Sequence, residues 1–349
     1  MKTQEPFKGR AVTIYDIAKE AGVSTATVSR VLTKRANVNQ KKRETVEALI
    51  EKYNYRPNAL ARGLSDTKSK VIGIITADIR NPFYAETFVA CEIAAKEAGY
   101  TVLLCNSFGM TEIEEEQLVM LQQQQVDVII QLGGRADDLV SDLGYVEKVN
   151  NLTKYIPMVI AGKLDGTPCY QVRIDAKKAA ELLLEYLIGM GHEKMVFIGG
   201  WKNVVSTYEK YQKYQEILGK YRIDFHEDDF IEGSYDYDTG YISMNQIFEK
   251  KCLPTAVIAI NDFSAAGVVR SINEHGYNIP DDISVVSYDN AYIANLLMPK
   301  LTSIDYNYEM FGKELVETAI SAAEGKPKPL LQMIIPTLVI RESSGPAKL

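Results

Sequence analysis

The stretch from Ile14 to Thr33, IYDIAKEAGVSTATVSRVLT, leaves its backbone very few paths. Counting Ile14 as the first position, Ala18 is fifth, Gly22 ninth, Val28 fifteenth and Val31 eighteenth. Two helices meeting at a tight turn need a small residue at their contact and a glycine for the positive-φ turn. They also need apolar residues that lock the second helix onto the first. Ser24 stands where its hydroxyl can cap the first turn of that second helix. Thr25, Ala26, Ser29 and Arg30 fall on its outer side, and all are short or hydrogen-bonding, as a helix lying in a major groove requires. A generic helical hairpin has no need of the spacing, the cap and the polar outer face together. The pattern predicts a helix-turn-helix that binds double-stranded DNA.

The charge is divided accordingly. The chain as a whole carries −7, which argues against a nucleic-acid partner, but residues 1–66 hold 13 Lys or Arg against 7 Asp or Glu, giving +6. The remainder holds 26 against 39, giving −13. A basic module on an acidic body presents one end to phosphates and repels them from the other. Cys91, Cys105, Cys169 and Cys252 lack metal-ligand or redox spacing and read as reduced, partly buried thiols. MKTQEPFKGRAV contains no apolar run of signal-peptide length, and no run approaches a membrane span. The expected location is the cytoplasm, with no membrane partner.

NQKKRETVEALIEKYNY reads as a third helix, with Val46, Leu49 and Ile50 inward and Lys41, Lys42 and Arg43 near its start. That basic cluster is either a solvated face or a set of phosphate contacts. Pro57 then breaks the helix. Asn58 can cap a new one, and Ala59 to Leu64 supplies under two turns. So short a segment is a linker turn or folds only against a partner. From Val71 short apolar runs alternate with amphipathic helices: VIGIITADI, TVLLCNS, DVIIQLG, PMVIAG, VRID, MVFIGG, AVIAIND and SVVSYDN are the expected strands. Such β-branched runs between helices indicate parallel strands buried on both faces, a doubly wound α/β plan whose ligands bind beyond the strands' carboxyl ends. Some 280 residues of it predict two similar subdomains across a cleft.

These pieces, in this order, resemble the lactose/galactose repressor family of bacterial transcription regulators. The strings that carry the resemblance are TIYDIAKEAGVSTATVSRVL, YNYRPNALARGL, NPFY at Asn81–Tyr84, AINDFSAAGVVRSINEHGYNIPDDISVVSYDN and LTSIDYNYEMFGKEL. It implies an all-α helix-turn-helix domain over 11–57 and a hinge helix and linker over 58–66. A periplasmic-binding-protein-like core over 67–345 follows. Within that core one subdomain takes about 70–174 and 306–335, the other about 175–305 and 336–345. It also implies a homodimer on a near-palindromic operator, acting as a repressor under a small effector that closes the cleft. No cofactor, metal or catalytic residue is expected. The residues after the final strand, GPAKL, offer no heptad-bearing helix, so a two-fold dimer is the expected assembly.

Residue by residue, Thr13, Tyr15, Ser24, Thr27 and Asn37 fall where the family contacts phosphates, and Thr25, Ala26 and Arg30 where it reads base edges. Tyr55 is counted with the DNA-binding set. Arg30 can make the bidentate contact to guanine. Leu64 matches a hinge leucine that wedges into a central base step, with Asn58, Ala61 and Arg62 beside it; its residue type alone equally suits an ordinary core leucine. For the effector, Phe83 and Tyr84 match aromatic contacts and Tyr235 a stacking aromatic. Asn261 and Asp289, at strand ends, match the pair that holds sugar hydroxyls, although Asp289 also suits a helix cap. Asp78 and Ser206 complete the expected set.

One position departs from the family's pattern. STYEKYQKY places Lys210 where the family has an arginine and Lys213 where it has a glycine. Lysine is a point donor without the planar fork of arginine. Lys210 is therefore either an altered effector contact or a solvated surface lysine. A carbohydrate effector is the first expectation. A purine or a partner protein as corepressor is the alternative, since a flat ring stacks on Phe83 and Tyr84 as well as a sugar does. A transport binding protein shares the core but would not carry the N-terminal module. G-x-G-x-x-G, P-loop, G-x-S-x-G and H-E-x-x-H strings are absent, which disfavours an enzyme.

Overall fold

Residues 12–32, 38–55, 68–250 and 253–348 are described by the computed structural model of the chain. Asn37, Asn58, Ala61, Arg62 and Leu64, the whole expected hinge 58–66, and Cys252 lie outside the described residues. The chain divides into two compact units, residues 1–69 and 70–349.

In the first unit, helix α1 spans Ile14–Ala21, α2 Thr25–Leu32 and α3 Gln40–Lys52. Thr13 and Asp16 form a reciprocal cap: the Thr13 N–H donates to the Asp16 carboxylate at 2.9 Å, and the Asp16 N–H donates to the Thr13 hydroxyl at 3.4 Å. Gly22 ends α1 with φ +63°, a conformation that a side chain would strain. Two residues later the Ser24 hydroxyl accepts the Thr27 N–H at 3.2 Å, which opens α2. Ile17, Ala18, Val28, Val31 and Val46 are buried together, so the residues read as interlocking form the unit's core. Leu49 and Ile50 pack against it from α3.

The second unit contains two six-stranded sheets of the same plan. In the first the order is β11-β5-β4-β3-β1-β2, all parallel. Its strands are β1 (Val71–Thr76), β2 (Thr101–Asn106), β3 (Val128–Leu132), β4 (Met158–Ala161), β5 (Tyr170–Ile174) and β11 (Leu331–Ile334). In the second the order is β12-β10-β9-β8-β6-β7. It comprises β6 (Met195–Ile198), β7 (Phe230–Ile231), β8 (Ala256–Ala259), β9 (Ser284–Asp289), β10 (Thr302–Asp305) and β12 (Thr337–Val339). The eight apolar runs read from the sequence are all strands. The short or polar ones, β7, β10 and β11, escape a periodicity reading. The edge strand β12 runs antiparallel to β10, an exception that mixed sheets commonly place at an edge.

Helices cover the sheets: α4 (Pro82–Glu97), α5 (Thr111–Gln123), α6 (Leu143–Leu152), α7 (Ala176–Gly189), α8 (Val205–Tyr221), α9 (Tyr237–Lys250), α10 (Asp262–Glu274) and α11 (Tyr308–Ala323). The chain crosses between the sheets three times: after β5, after β10, and between β11 and β12. Ile174, Ala176 and Tyr306, at the first two crossings, line the cavity between the sheets. Among the described residues no helix is long and apolar enough to cross a membrane.

Candidate functional site

On the helix-turn-helix unit the functional candidates are outward. Thr13, Tyr15, Ser24, Ala26 and Arg30 are exposed, and Thr25, Thr27 and Ser29 are half-buried. Tyr15 is 73% exposed, and no packing need of this small core explains an open aromatic ring there. The Ser24 and Thr27 hydroxyls lie 3.0 Å apart at the start of α2, where free N–H groups and the helix dipole favour a phosphate. Tyr55 differs from the rest of its set: its ring is half-buried against the three-helix core, and burial raises its phenol pKa. Lys41 and Lys42 are exposed at the start of α3. The unit's surface is further tied by Glu20, which accepts hydrogen bonds from Lys52 at 2.8 Å and from Tyr53.

In the second unit a cavity of about 850 Å³ lies between the two sheets, at the carboxyl ends of their strands. All eight residues expected to hold an effector line it: Asp78, Phe83, Tyr84, Ser206, Lys210, Tyr235, Asn261 and Asp289. They arrive from opposite walls. Asn81 caps α4 by accepting the Phe83 N–H at 3.0 Å, and Pro82 follows at the first turn, so NPFY projects its aromatics from a helix start. Phe83 packs edge-on against Tyr84 at 5.2 Å and Tyr306 at 6.0 Å. Asp78 is engaged at the rim by Arg80, at 2.6 Å, and that partner holds its carboxyl below the usual range.

From the second wall, Tyr235 shares a hydrogen bond with Thr207 at 2.8 Å. Asn261 is largely committed: its Oδ1 accepts the Ser264 N–H at 2.8 Å and its Nδ2 donates to the Tyr235 carbonyl at 3.0 Å. One Nδ2 hydrogen is left over for a ligand. Asp289 ends β9 with φ +98°, a strained conformation of the kind concentrated at functional sites. Among the described residues its carboxylate accepts no hydrogen bond, so it is not the helix cap that its residue type also suggested. Burial raises its pKa well above the usual value, the neighbouring Asp262 adds to the rise, and Lys210 opposes it.

Lys210 is not a solvated lysine. It is 4% exposed and, among the described residues, has no ion pair and no hydrogen bond. Its ammonium lies 4.4 Å from the Tyr288 ring centre and 5.9 Å from that of Tyr306, a cation–π setting. Burial pulls its pKa down to about 8, against the pull of Asp289, Glu209 and Asp137. A buried cation with open hydrogen-bonding capacity is costly unless something completes it.

Asp137 is a lining residue that the sequence reading missed. It follows β3 after Gly133 and Gly134, receives the Tyr84 hydroxyl at 3.4 Å, and burial raises its pKa to about 7. A Cβ on Gly133 would lie 2.2 Å from the Tyr84 oxygen, so only glycine lets this loop pass under the ring. The signal available was an acidic residue just beyond a fully buried strand. Also missed were the Arg173–Glu209 ion pair at 2.9 Å, Phe108 and Trp201. Asp137 comes from the first wall and Lys210 with Asp289 from the second. The arrangement can clamp a polar, hydroxyl-rich or flat-ringed small molecule between aromatic faces and ionisable groups. Among the described residues no group of three His, Cys, Asp or Glu side chains could hold a metal ion.

Residues 13–58 match the model for bacterial regulatory proteins of the lacI family, and residues 184–344 match a periplasmic binding protein-like domain. The chain is 34% identical over 296 residues to catabolite control protein A of Priestia megaterium, covering 84% of this chain and 87% of that one. It is 31% identical over 335 residues to the transcriptional repressor PurR of Mannheimia succiniciproducens, covering 95% and 98%. Among solved structures, the lac repressor dimer bound to operator and the anti-inducer ONPF aligns with a TM-score of 0.85 at 26% identity. That alignment covers 96% of this chain and all of that one. A complex of the transcriptional regulator CelR with cellobiose aligns with a TM-score of 0.69 at 25% identity, covering 95% and 100%.

Proposed function

The chain belongs to the lacI family of bacterial regulatory proteins, and from that premise we propose a dimeric cytoplasmic repressor that reads a near-palindromic operator under control of a cleft-bound carbohydrate. The helix-turn-helix supports the operator half. Thr13, Tyr15, Ser24 and Thr27 position the unit on phosphates, and Thr25, Ala26 and Arg30 face base edges. Leu64 with Asn58, Ala61 and Arg62 supplies the central minor-groove contact.

The observation that carries the effector half is the meeting of Lys210, Asp137 and Asp289 in one cavity, with the capacity of all three for a ligand still open. Hydroxyl groups complete such a set, donating to the carboxylates and accepting from the ammonium. A ligand that binds one arrangement of the two walls better than the other shifts the operator-binding equilibrium by that difference.

Dimerisation is supported by apolar side chains left open on two segments. Val89, Ile93, Met110 and Val119 lie in 79–121, and Tyr292, Leu296 and Met298 lie in 279–305. Light scattering should report twice the 39.0 kDa chain mass. A monomer with full operator affinity overturns the paired-reading mechanism.

A second reading, with a purine or other flat ring as effector, is favoured by the aromatic group of Phe83, Tyr84 and Tyr306. A thermal-shift screen with sugars, sugar phosphates and nucleobases, followed by operator-binding anisotropy with each hit, separates the two. A ligand at a hundred times its Kd adds about 2.7 kcal/mol of stability. Stabilisation by nucleobases and by no sugar overturns the carbohydrate reading.

A further inference from the structure

The inner end of the cleft has its ionisable set; its mouth has a different chemistry. Two large aromatic side chains line the cavity there while about half open: Phe108 on the first wall at 54% and Trp201 on the second at 47%. Phe108 is held at φ +55°, which is uncommon for a bulky residue. The backbone leaves it no choice. The Ser107 N–H donates to the Thr76 carbonyl at 2.9 Å, Gly109 to Ala77 at 2.8 Å, and Met110 to Ser107 at 2.9 Å. Asparagine or glycine would relieve the strain. The chain keeps a phenyl ring at this position, facing outward, where folding gains little from it.

Trp201 follows two positive-φ glycines, Gly199 and Gly200, at the end of β6. Its backbone N–H donates to the Tyr235 hydroxyl at 3.4 Å, so the segment that carries the mouth aromatic is tied to the inner one. Its loop also spans the cleft. The Leu139 N–H donates to the Asn203 carbonyl at 2.7 Å, and Asp138 pairs with Val204 as an isolated antiparallel bridge. One short segment thus carries both an open indole and a backbone latch to the opposite wall. The volume of about 850 Å³ lies toward the upper end of the roughly 300–1,000 Å³ that ligand pockets span, more than a single pyranose needs.

We propose that Trp201 and Phe108 form an outer subsite for the apolar face of a second ring, so that the cleft's ligand is a saccharide of at least two rings. The proposal rests on the carbohydrate reading of the cleft given above. A pyranose presents a C–H face that covers an aromatic ring and a rim of hydroxyls that stays in water, which suits half-open indole and phenyl groups. The Trp201 loop holds the latch at Asn203 and Val204. A second ring seated there therefore adds a contact present only in the closed arrangement, which a one-ring ligand lacks.

The test uses the full chain and calorimetric titration with glucose, galactose, maltose, cellobiose and lactose. Trp201 is the only tryptophan in the chain, so its emission reports on the mouth directly. At least one disaccharide is expected to bind ten-fold or more tightly than either monosaccharide and to shift that emission. Trp201→Ala and Phe108→Asn, the latter suited to the left-handed backbone, should each cut the disaccharide-to-monosaccharide affinity ratio by ten-fold or more. Trp201→Phe should restore most of it. Equal affinity for one and two rings overturns the subsite, as does a loss in either variant that is the same for both ligand sizes. Binding of monosaccharides alone removes only the subsite. Binding of no sugar in the panel, with operator binding intact, removes the carbohydrate reading along with it.

Discussion

Ile17, Val28 and Val46 close the core of the reading unit within a few dozen residues of chain, while its candidate DNA contacts among the described residues, Tyr55 apart, stand outside that core, exposed or half-buried. The cleft reverses both relations. Phe83 meets Tyr306 and Phe311 from the far end of the chain, and the ionisable groups Lys210 and Asp289 are buried beside an aromatic core. In the reading unit, function adds polar groups to a surface and costs the fold little. In the cleft, the charges of Lys210 and Asp289 sit where burial disfavours them, and folding bears the difference. Substitution of an exposed candidate that caps no helix, such as Arg30, should therefore lower affinity without changing stability in the first region. In the second, substitution of the buried charges Lys210 or Asp289 should remove ligand response and leave stability equal or higher.

The largest effect should come from attacking the small core itself. Val28 is fully buried among five residues, and Val28→Asp places an unpaired carboxylate there, which a core of this size cannot absorb. Operator binding should fall below detection. Trp201 emission and the thermal transition of residues 70–349 should stay as in the parent chain. A parallel loss of the core transition would show that the two regions do not fold independently.

Next in size is the effector response. Tyr235→Ala and Asp289→Ala should each abolish the ligand's influence on operator binding, while operator affinity without ligand survives. Removing a ligand's differential contacts removes the shift and leaves the resting equilibrium in place. If both variants respond normally, the cleft assignment is wrong.

The same contrast explains what the sequence disclosed. Gly22 and Ser24 act on neighbours a few positions away, so spacing alone predicted the turn and the cap of the second helix; the Thr13–Asp16 cap went unread. The parallel strands were legible because their apolar runs are continuous, and most of them, such as Val128–Leu132 and Ser284–Asp289, are buried on both faces. Phe230–Ile231 and Leu331–Ile334 were not, being too short or too polar to show a period. In the cleft, the positions that a family resemblance supplies were available. Phe108 and Trp201 were not, because nothing local distinguishes a lining residue on a loop from a solvated one, and Asp137 offered only an acidic residue just beyond a buried strand. Lys210 shows the limit most directly: a lysine in a polar helix reads as surface, and only the three-dimensional surroundings of α8 reveal that it is enclosed.

Arg30→Ala tests the first half of the contrast at smaller scale. Loss of a bidentate guanine contact should cost about 1–3 kcal/mol on the preferred operator and relax preference at one base pair per half-site. Thermal stability should not change, since Arg30 is exposed. A loss that is uniform over all DNA sequences would instead make Arg30 a phosphate contact.

The smallest expected effect tests the second half. Burial raises the Asp137 carboxyl from 3.8 to about 7. The unfolded chain gives up this proton near pH 4 and the folded chain near pH 7, so between these values unfolding releases a proton. Stability from this group is highest below pH 4, falls as pH rises toward 7, and is flat above it. Asp137→Asn removes that slope and keeps an oxygen for the Tyr84 hydroxyl. With solvent in the cavity screening the charge, the variant should exceed the parent by about 1–2 kcal/mol above pH 7 and converge with it near pH 4. Asp262, raised to about 7, leaves both chains a residual slope over the same window, and Asp289 is raised in the same direction. Lys210 does not interfere, because its depressed pKa of about 8 makes stability rise only between pH 8 and its ordinary value of 10.5. Urea titrations of the ligand-free chains at pH 5, 6, 7 and 8 resolve the difference. A variant less stable than the parent at pH 8 would mean that Asp137 contributes to folding as an ionised partner, and the cleft would then not differ from the reading unit in the way proposed.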